Sequence, residues 1–101
     1  STPSTVSITS MKNYLDTWLP VTLDGESTLK AGDSSIYTLS APANTTIYLS
    51  ADNGVLNRSR ATNGQTVQLN TSGLNAGETV TIKMGYKFWS GVSTKVITLS
   101  S

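Results

Sequence analysis

One stretch of the chain, residues 79–86, alternates strictly between polar and apolar side chains. Successive side chains of a β-strand point to opposite faces, so this period of two predicts a strand that is buried on one face. The dipeptide Ala76-Gly77 precedes it and supplies a turn. We therefore take this strand as the centre of a small β-sandwich. The side chains expected to face its core are Val80, Ile82, Met84 and Tyr86.

Several other short segments repeat this alternation and are separated by turn residues. Together they predict an all-β, antiparallel sandwich of about seven or eight strands. In the last segment, either Ile97 and Leu99 or Val96 faces the core. The predicted strands cover 6–8, 35–41, 45–51, 55–60 (an edge strand), 65–71, 79–86 and 93–99.

The segments between these strands carry recognisable turn chemistry. Asp52-Asn53-Gly54 and Asn63-Gly64 are hairpin-type signals. The sequences of 29–33 and 74–78 share one pattern, a Leu followed by a spacer, Ala-Gly and an acidic residue. We expect them to form two similar corners.

The region before these strands contains the one helical pattern. Apolar residues recur there at the spacing of an amphipathic helix, with Ser10 as a candidate cap and Pro20 as a stop. A short N-terminal helix is therefore predicted, although Leu19, Val21 and Leu23 also alternate and leave a strand open for its end. The apolar stripe consists of Met11, Tyr14, Leu15, Trp18 and Leu19.

Composition limits the chemistry that the chain can perform. Its 101 residues suit one domain, with 1–28 as an arm, helix and first strands and 29–101 as the sandwich body. It has no Cys and no His, which excludes disulfides, thiolate metal sites and histidine acid–base chemistry. A net charge of +1 argues against nucleic acid as a partner, and no apolar run is long enough for a membrane span. We expect no enzyme activity, no cofactor and no metal.

The strand and turn motifs of 39–99 resemble the bacterial immunoglobulin-like domains of the invasin and intimin type, which also occur in phage structural proteins. The segments that carry this resemblance are 47–56, 61–69 and 76–82. The resemblance implies an immunoglobulin-like sandwich that serves as a spacer, display or surface-binding module, without catalytic residues.

Two groups of residues are candidates for partner binding. Phe88 and Trp89 fall in the predicted last hairpin loop, 87–91, where exposed aromatic residues would anchor a protein or a sugar. The alternative is that they close the end of the core. Met11, Tyr14 and Trp18 of the helical stripe would dock on a neighbouring subunit or a virion surface, or else cover an open end of their own sandwich.

Charged residues offer weaker candidates. Asp24, Glu26 and Asp33 are oxygen donors that could suit calcium, but their spacing matches no defined calcium loop and we interpret them as solvated turn acids. Arg58, Arg60 and Lys83 could form a basic strip that acidic residues offset.

These observations predict a non-enzymatic structural protein that decorates a phage virion, on a capsid or tail, with a virion structural protein as partner. The alternative is a binding or spacer module of a bacterial surface adhesin or carbohydrate-active protein, located at the cell surface or outside the cell, whose ligand could be a glycan.

Overall fold

A computed structural model describes residues 21–86 and 89–101, and for 89–92 it describes the backbone alone. Nine β-strands form two sheets, and no helix occurs within these ranges. The all-β, sandwich-like architecture is therefore confirmed. The predicted helix and the strand at 6–8 lie outside the described residues. The strands are β1 (Thr22–Asp24), β2 (Thr28–Lys30), β3 (Ser34–Ser40), β4 (Ile47–Ala51), β5 (Val55–Leu56), β6 (Arg60–Ala61), β7 (Thr66–Asn70), β8 (Thr79–Tyr86) and β9 (Trp89–Ser100).

The two sheets have four and five strands. The four-stranded sheet has the order β1-β3-β7-β5, and the five-stranded sheet has the order β2-β9-β8-β4-β6. The strand predicted to be central, β8, lies in the middle of the larger sheet. Pairing among the described strands is antiparallel as predicted, except between β2 and β9, which run parallel.

The core lies between the sheets and is made largely of side chains that alternation predicted to face inward, with Leu29 and Ala61 in addition. Tyr37 and Leu39 of β3, and Ile47 and Leu49 of β4, are buried. The sequence left open whether Ile97 and Leu99 or Val96 of β9 face the core. Ile97 and Leu99 are buried and therefore face it, whereas Val96 is 51% exposed. The other buried apolar residues are Val21, Leu23, Leu29, Ala61, Val67, Leu69, Val80, Ile82 and Met84.

The edge strand predicted at 55–60 is two strands in different sheets. Asn57 donates its N–H to the carbonyl of Gln68 in β7 and accepts the Gln68 N–H through its side chain. Two residues later, the Ser59 carbonyl accepts the N–H of Leu49 in β4. The chain therefore crosses between the sheets within this segment, because each half finds its backbone partner in a different layer.

The two Asn-Gly segments form turns, but neither closes a hairpin. Gly54 and Gly64 both have positive φ angles, 68° and 86°. The first turn leads from β4 to β5 and the second from β6 to β7, so each joins strands of different sheets. A turn signal predicts that the chain reverses, but it does not specify whether the next strand stays in the same sheet.

The two corners predicted to be similar have matching geometry. Gly32 and Gly77 both have a φ of 93°. The Asp33 N–H bonds to the Lys30 carbonyl at 3.0 Å, and the Glu78 N–H bonds to the Asn75 carbonyl at 3.1 Å. Both corners carry the chain from one sheet to the other beside the end of β9.

The one hairpin among the described strands joins β8 to β9. Strand β9 begins at Trp89, which pairs with Tyr86, and it is longer than the predicted strand at 93–99. Trp89 therefore lies in a strand and not in a five-residue loop. The register shifts between Met84 and Tyr86, which marks a bulge near the end of β8.

The part of the chain that the structure describes contains no helix with the length and apolar character that a membrane span requires.

Candidate functional site

Most of the residues predicted to bind a partner lie outside the described ranges. These are Met11, Tyr14, Trp18 and Phe88, and their roles stay predictions. Trp89 is placed by its backbone, at the first position of β9 and opposite Tyr86. This pairing locates the predicted aromatic anchor at the hairpin end of the five-stranded sheet.

A mostly apolar cavity of about 420 Å³ lies at this end of the sandwich. It is lined by Tyr86 together with the loop between β3 and β4, which contributes Pro42, Ala43 and Thr45. Asn44 in this loop has a φ of 60°, a left-handed conformation that asparagine tolerates better than most residues. The loop and the end of β8 thus form one concave surface beside the position of Trp89.

Besides Thr45, the residue of this lining that carries a polar side-chain group is Tyr86. Its hydroxyl is buried and meets no hydrogen-bond partner among the residues that the structure describes. Burial raises the pKa of the Tyr86 phenol, since the charged phenolate is disfavoured away from water. The phenol therefore stays protonated, and its proton has no acceptor among the described residues.

A second tyrosine, Tyr37, makes contacts that stabilise the fold. Its hydroxyl donates a hydrogen bond of 2.8 Å to the Glu26 carbonyl. The Lys95 Nζ lies 5.7 Å from the centre of its ring and donates a hydrogen bond to the Gly25 carbonyl. Burial is the largest cause that raises the pKa of Tyr37, and the charge of Glu26 adds to it. These contacts hold the segment that passes from β1 to β2.

The acidic residues considered for calcium do not come together. Within the described residues, no group of three or more His, Cys, Asp or Glu side chains is placed to hold a metal ion. The carboxylate of Asp52 accepts the backbone N–H of Thr81 at 2.7 Å, and that of Glu78 accepts the N–H of Asn75 at 2.6 Å. The three acids proposed for calcium, Asp24, Glu26 and Asp33, are exposed.

The three cations of the predicted basic strip are separated by the fold. Arg58 donates a hydrogen bond to the Gln65 side chain at 3.1 Å, close to the crossing between the sheets. Arg60 and Lys83 are exposed on β6 and β8, which flank β4 in the five-stranded sheet. The strip therefore consists of two cations on one sheet face, with Arg58 engaged elsewhere.

The sequence did not identify the Tyr86 hydroxyl or the β3–β4 loop as parts of a site. Alternation placed Tyr86 on the inward face of β8, and the side chain is partly buried as expected. The loop signal Pro42-Ala43-Asn44 marked a turn, but nothing local shows that this turn lies beside the end of β8. That proximity depends on the pairing of Tyr48 with Gly85.

Comparisons with protein-family models, with curated proteins and with solved structures found no match for this chain.

Proposed function

We propose that this chain is a non-enzymatic structural protein with an immunoglobulin-like sandwich, which decorates a phage virion by docking one sheet face on a capsid or tail protein. Three features support the proposal: the order of the strands, the apolar interior and the unequal charge of the two outer faces. The third feature carries it.

The strand order supports an immunoglobulin-like topology. Such sandwiches place their first, second, fifth and fourth strands in one sheet, and their third, sixth and seventh in the other. The order β1-β3-β7-β5 corresponds to the first set, and β4-β8-β9 corresponds to the second. Strand β2 then extends the second sheet as a parallel edge, while β6, which returns to pair with β4, is an addition to the simple pattern.

The interior supports a protein that works through its surface. Of the described side chains that are fully buried, Tyr37 carries a hydroxyl that bonds to the Glu26 carbonyl, and the other one with a polar group is Thr71. Its hydroxyl accepts the Gly32 N–H at 2.9 Å and donates to the Asp33 carbonyl at 2.6 Å, which ties the first corner to the end of β7. This polar group is therefore occupied in holding the fold.

The outer face of the four-stranded sheet carries the proposal. Its exposed residues are almost all uncharged, with Asp24 at one corner as the exception. Ile36 and Val55 are 63% and 66% exposed on this face. Interfaces between proteins are depleted of charge at their centres, so this face is suited to docking. Its remaining members are Thr22, Ser34, Thr38, Ser40, Thr66, Gln68 and Asn70.

The outer face of the five-stranded sheet differs because it carries Lys30, Arg60 and Lys83. Charged side chains keep a surface hydrated and are costly to bury without partners. We therefore assign the uncharged face to the virion and the basic face to the surroundings.

The test is binding of the purified chain to virions that lack it, with one charge introduced on either face. Ile36→Glu should weaken binding by about tenfold or more, since it places a carboxylate at the centre of the proposed interface. Val96→Glu is the matched control on the opposite sheet, where the side chain is 51% exposed. It should leave binding within about twofold. Absence of binding, or equal losses for both variants, would overturn the docking face.

A binding module of a bacterial surface protein is a second candidate, favoured by the cavity at the hairpin end. Tyr86 lines this mostly apolar cavity, and Trp89 pairs with Tyr86 in the backbone ladder. Glycan and cell-surface binding that Trp89→Ala abolishes without unfolding the protein would favour this function.

A further inference from the structure

The outer face of the five-stranded sheet brings together an aromatic ring and a cation that the sequence separates. Tyr48 of β4 lies opposite Arg60 of β6 on one side and opposite Gly85 of β8 on the other. The neighbours of Tyr48 along its strand, Ile47 and Leu49, are buried. Because side chains alternate, Tyr48 faces outward, in line with Arg60.

A second row beside the first adds a cation and two hydroxyl groups. Lys83 of β8 lies between Ser50 of β4 and Thr94 of β9. All three side chains are exposed. The ring of Tyr48 is therefore accompanied on one surface by Arg60 and Lys83, and by polar groups that both donate and accept hydrogen bonds.

Gly85 leaves room next to the tyrosine. A hollow of about 110 Å³ lies there, and its lining includes Tyr48, Ser50, Lys83 and Gly85. It coincides with the bulge of β8, a feature that often occurs at binding sites. Gly85 pairs with Tyr48 and has no side chain that could fill this hollow.

The nearby carboxylate of Asp52 does not cancel this charge by a direct bond to either cation. Asp52 follows two residues after Ser50, and its Oδ1 accepts the N–H of Thr81. The surface thus combines an aromatic ring with two cations, and it lies on the opposite side of the molecule from the proposed docking face.

We propose that this surface, formed by Tyr48, Ser50, Arg60, Lys83, Gly85 and Thr94, binds an acidic polysaccharide. The C–H face of a sugar ring packs on Tyr48, carboxylates or sulfates of the polysaccharide pair with Arg60 and Lys83, and sugar hydroxyls bond to Ser50 and Thr94. An acidic sugar is the ligand class that uses the ring, the charges and the hydroxyls together.

Two other acidic ligands fit this surface less well. A peptide that adds as a strand would pair with the outer edge of β6, the last strand of the sheet, and would not cover the face that carries Tyr48 and Lys83. Nucleic acid binding draws on several phosphate contacts, and this face offers two cations beside the ring in a chain of net charge +1. The flat face with one shallow hollow suits an extended polysaccharide.

The experiment is affinity electrophoresis of the full chain in gels that contain a polyuronate, a sulfated dextran or neutral dextran, followed by titration calorimetry. Retardation by an acidic polymer, and none by neutral dextran, is expected. The polyuronate and the sulfated dextran distinguish carboxylate from sulfate as the bound group. Poly-glutamate tests the peptide alternative, and binding to it as tight as to the polysaccharides would overturn the proposal.

Variants assign the binding to this surface. Arg60→Gln and Lys83→Gln should each weaken binding by about tenfold, the loss expected for one charge-assisted hydrogen bond. Lys30→Gln removes the same charge from the far edge of the sheet and should change binding by less than about twofold. Equal losses for Lys30→Gln and Arg60→Gln would show non-specific attraction by charge and overturn the site.

The ring is tested separately. Tyr48→Phe should keep most of the affinity, whereas Tyr48→Ala should lose it, with thermal unfolding as the control for folding. No detectable binding to either acidic polymer would also overturn the proposal. The polysaccharide site and the virion docking face lie on different sheets and should act independently. Arg60→Gln should therefore leave virion binding unchanged, and Ile36→Glu should leave polysaccharide binding unchanged.

Discussion

The hydroxyl of Tyr37 donates a hydrogen bond of 2.8 Å to the backbone carbonyl of Glu26, and this bond joins β3 to the segment that carries the chain from one sheet to the other. The hydroxyl of Tyr86 is buried as well, yet within the described residues it bonds to nothing. The two tyrosines of one core thus differ in hydrogen bonding: the Tyr37 hydroxyl has a partner, and the Tyr86 hydroxyl has none among the described residues.

Removal of the two hydroxyl groups should have opposite consequences. Tyr37→Phe leaves the Glu26 carbonyl without its partner and should lower the free energy of unfolding by about 1–2 kcal/mol. Tyr86→Phe removes a buried group that has no partner among the described residues, so it should be neutral or raise that free energy by up to about 1 kcal/mol. Urea denaturation of both variants checks this. A clear loss of stability in Tyr86→Phe would show that its hydroxyl has a partner in the folded protein.

Alkaline pH should destabilise the fold through these same residues. Burial raises the pKa of both Tyr37 and Tyr86 above the ordinary value of 10.0, so the folded state keeps its phenol protons where the unfolded chain loses them. Their contribution is therefore complete below pH 10 and is lost as pH rises through the folded-state pKa values. Denaturation midpoints measured from pH 8 to about pH 11.5 should fall at the alkaline end. The fall should be smaller in the Tyr37→Phe/Tyr86→Phe double variant, and an equal fall in both proteins would refute the assignment.

Gly25 should be essential to the crossing between the first two strands. Its φ is 155°, and an added Cβ would overlap the ring of Tyr37, approaching its Cε1 to 2.8 Å. Gly25→Ala should therefore cost about 3 kcal/mol or more, from backbone strain and from the displaced ring. Gly64→Ala is the matched control, since its φ is 86° but nothing lies within 4 Å of the added atom. It should cost only about 1–2 kcal/mol, and similar losses in the two variants would mean that the ring can move away.

Thr71 should contribute through its hydroxyl and not through its bulk. Thr71→Val keeps the volume but removes the bonds to the Gly32 N–H and the Asp33 carbonyl. We expect a loss of about 1–3 kcal/mol in the free energy of unfolding. Thr79→Val, at an exposed position of β8, should change it by less than about 0.5 kcal/mol. Equal effects in denaturant titrations would mean that the corner does not depend on these bonds.

The inward face of most strands could be predicted from the sequence, because alternation is a local property. The alternating positions of β3 and β7 are buried as predicted, namely Tyr37 with Leu39 and Val67 with Leu69. The two Ala-Gly corners could be predicted as well, since Gly32 and Gly77 are needed at equivalent backbone positions.

The pairing of distant strands could not be predicted, and the errors follow from that. The sequence predicted one edge strand over 55–60, but the backbone groups of this segment bond to strands in two different sheets. Register also decides that Tyr48 lies between Arg60 and Gly85, although the alternation of 45–51 already implied that Tyr48 faces outward. A candidate site made of residues from four strands therefore appears only once the sheet is assembled.

Cryo-electron microscopy of particles produced by the genome that encodes this chain tests most directly whether it is a virion protein. We predict density for a two-layered sandwich at symmetry-related positions, with the four-stranded sheet and Ile36 toward the particle and Tyr48 on the outside. Particles that are complete without this chain, while all of it is recovered as free protein, would contradict the proposed function.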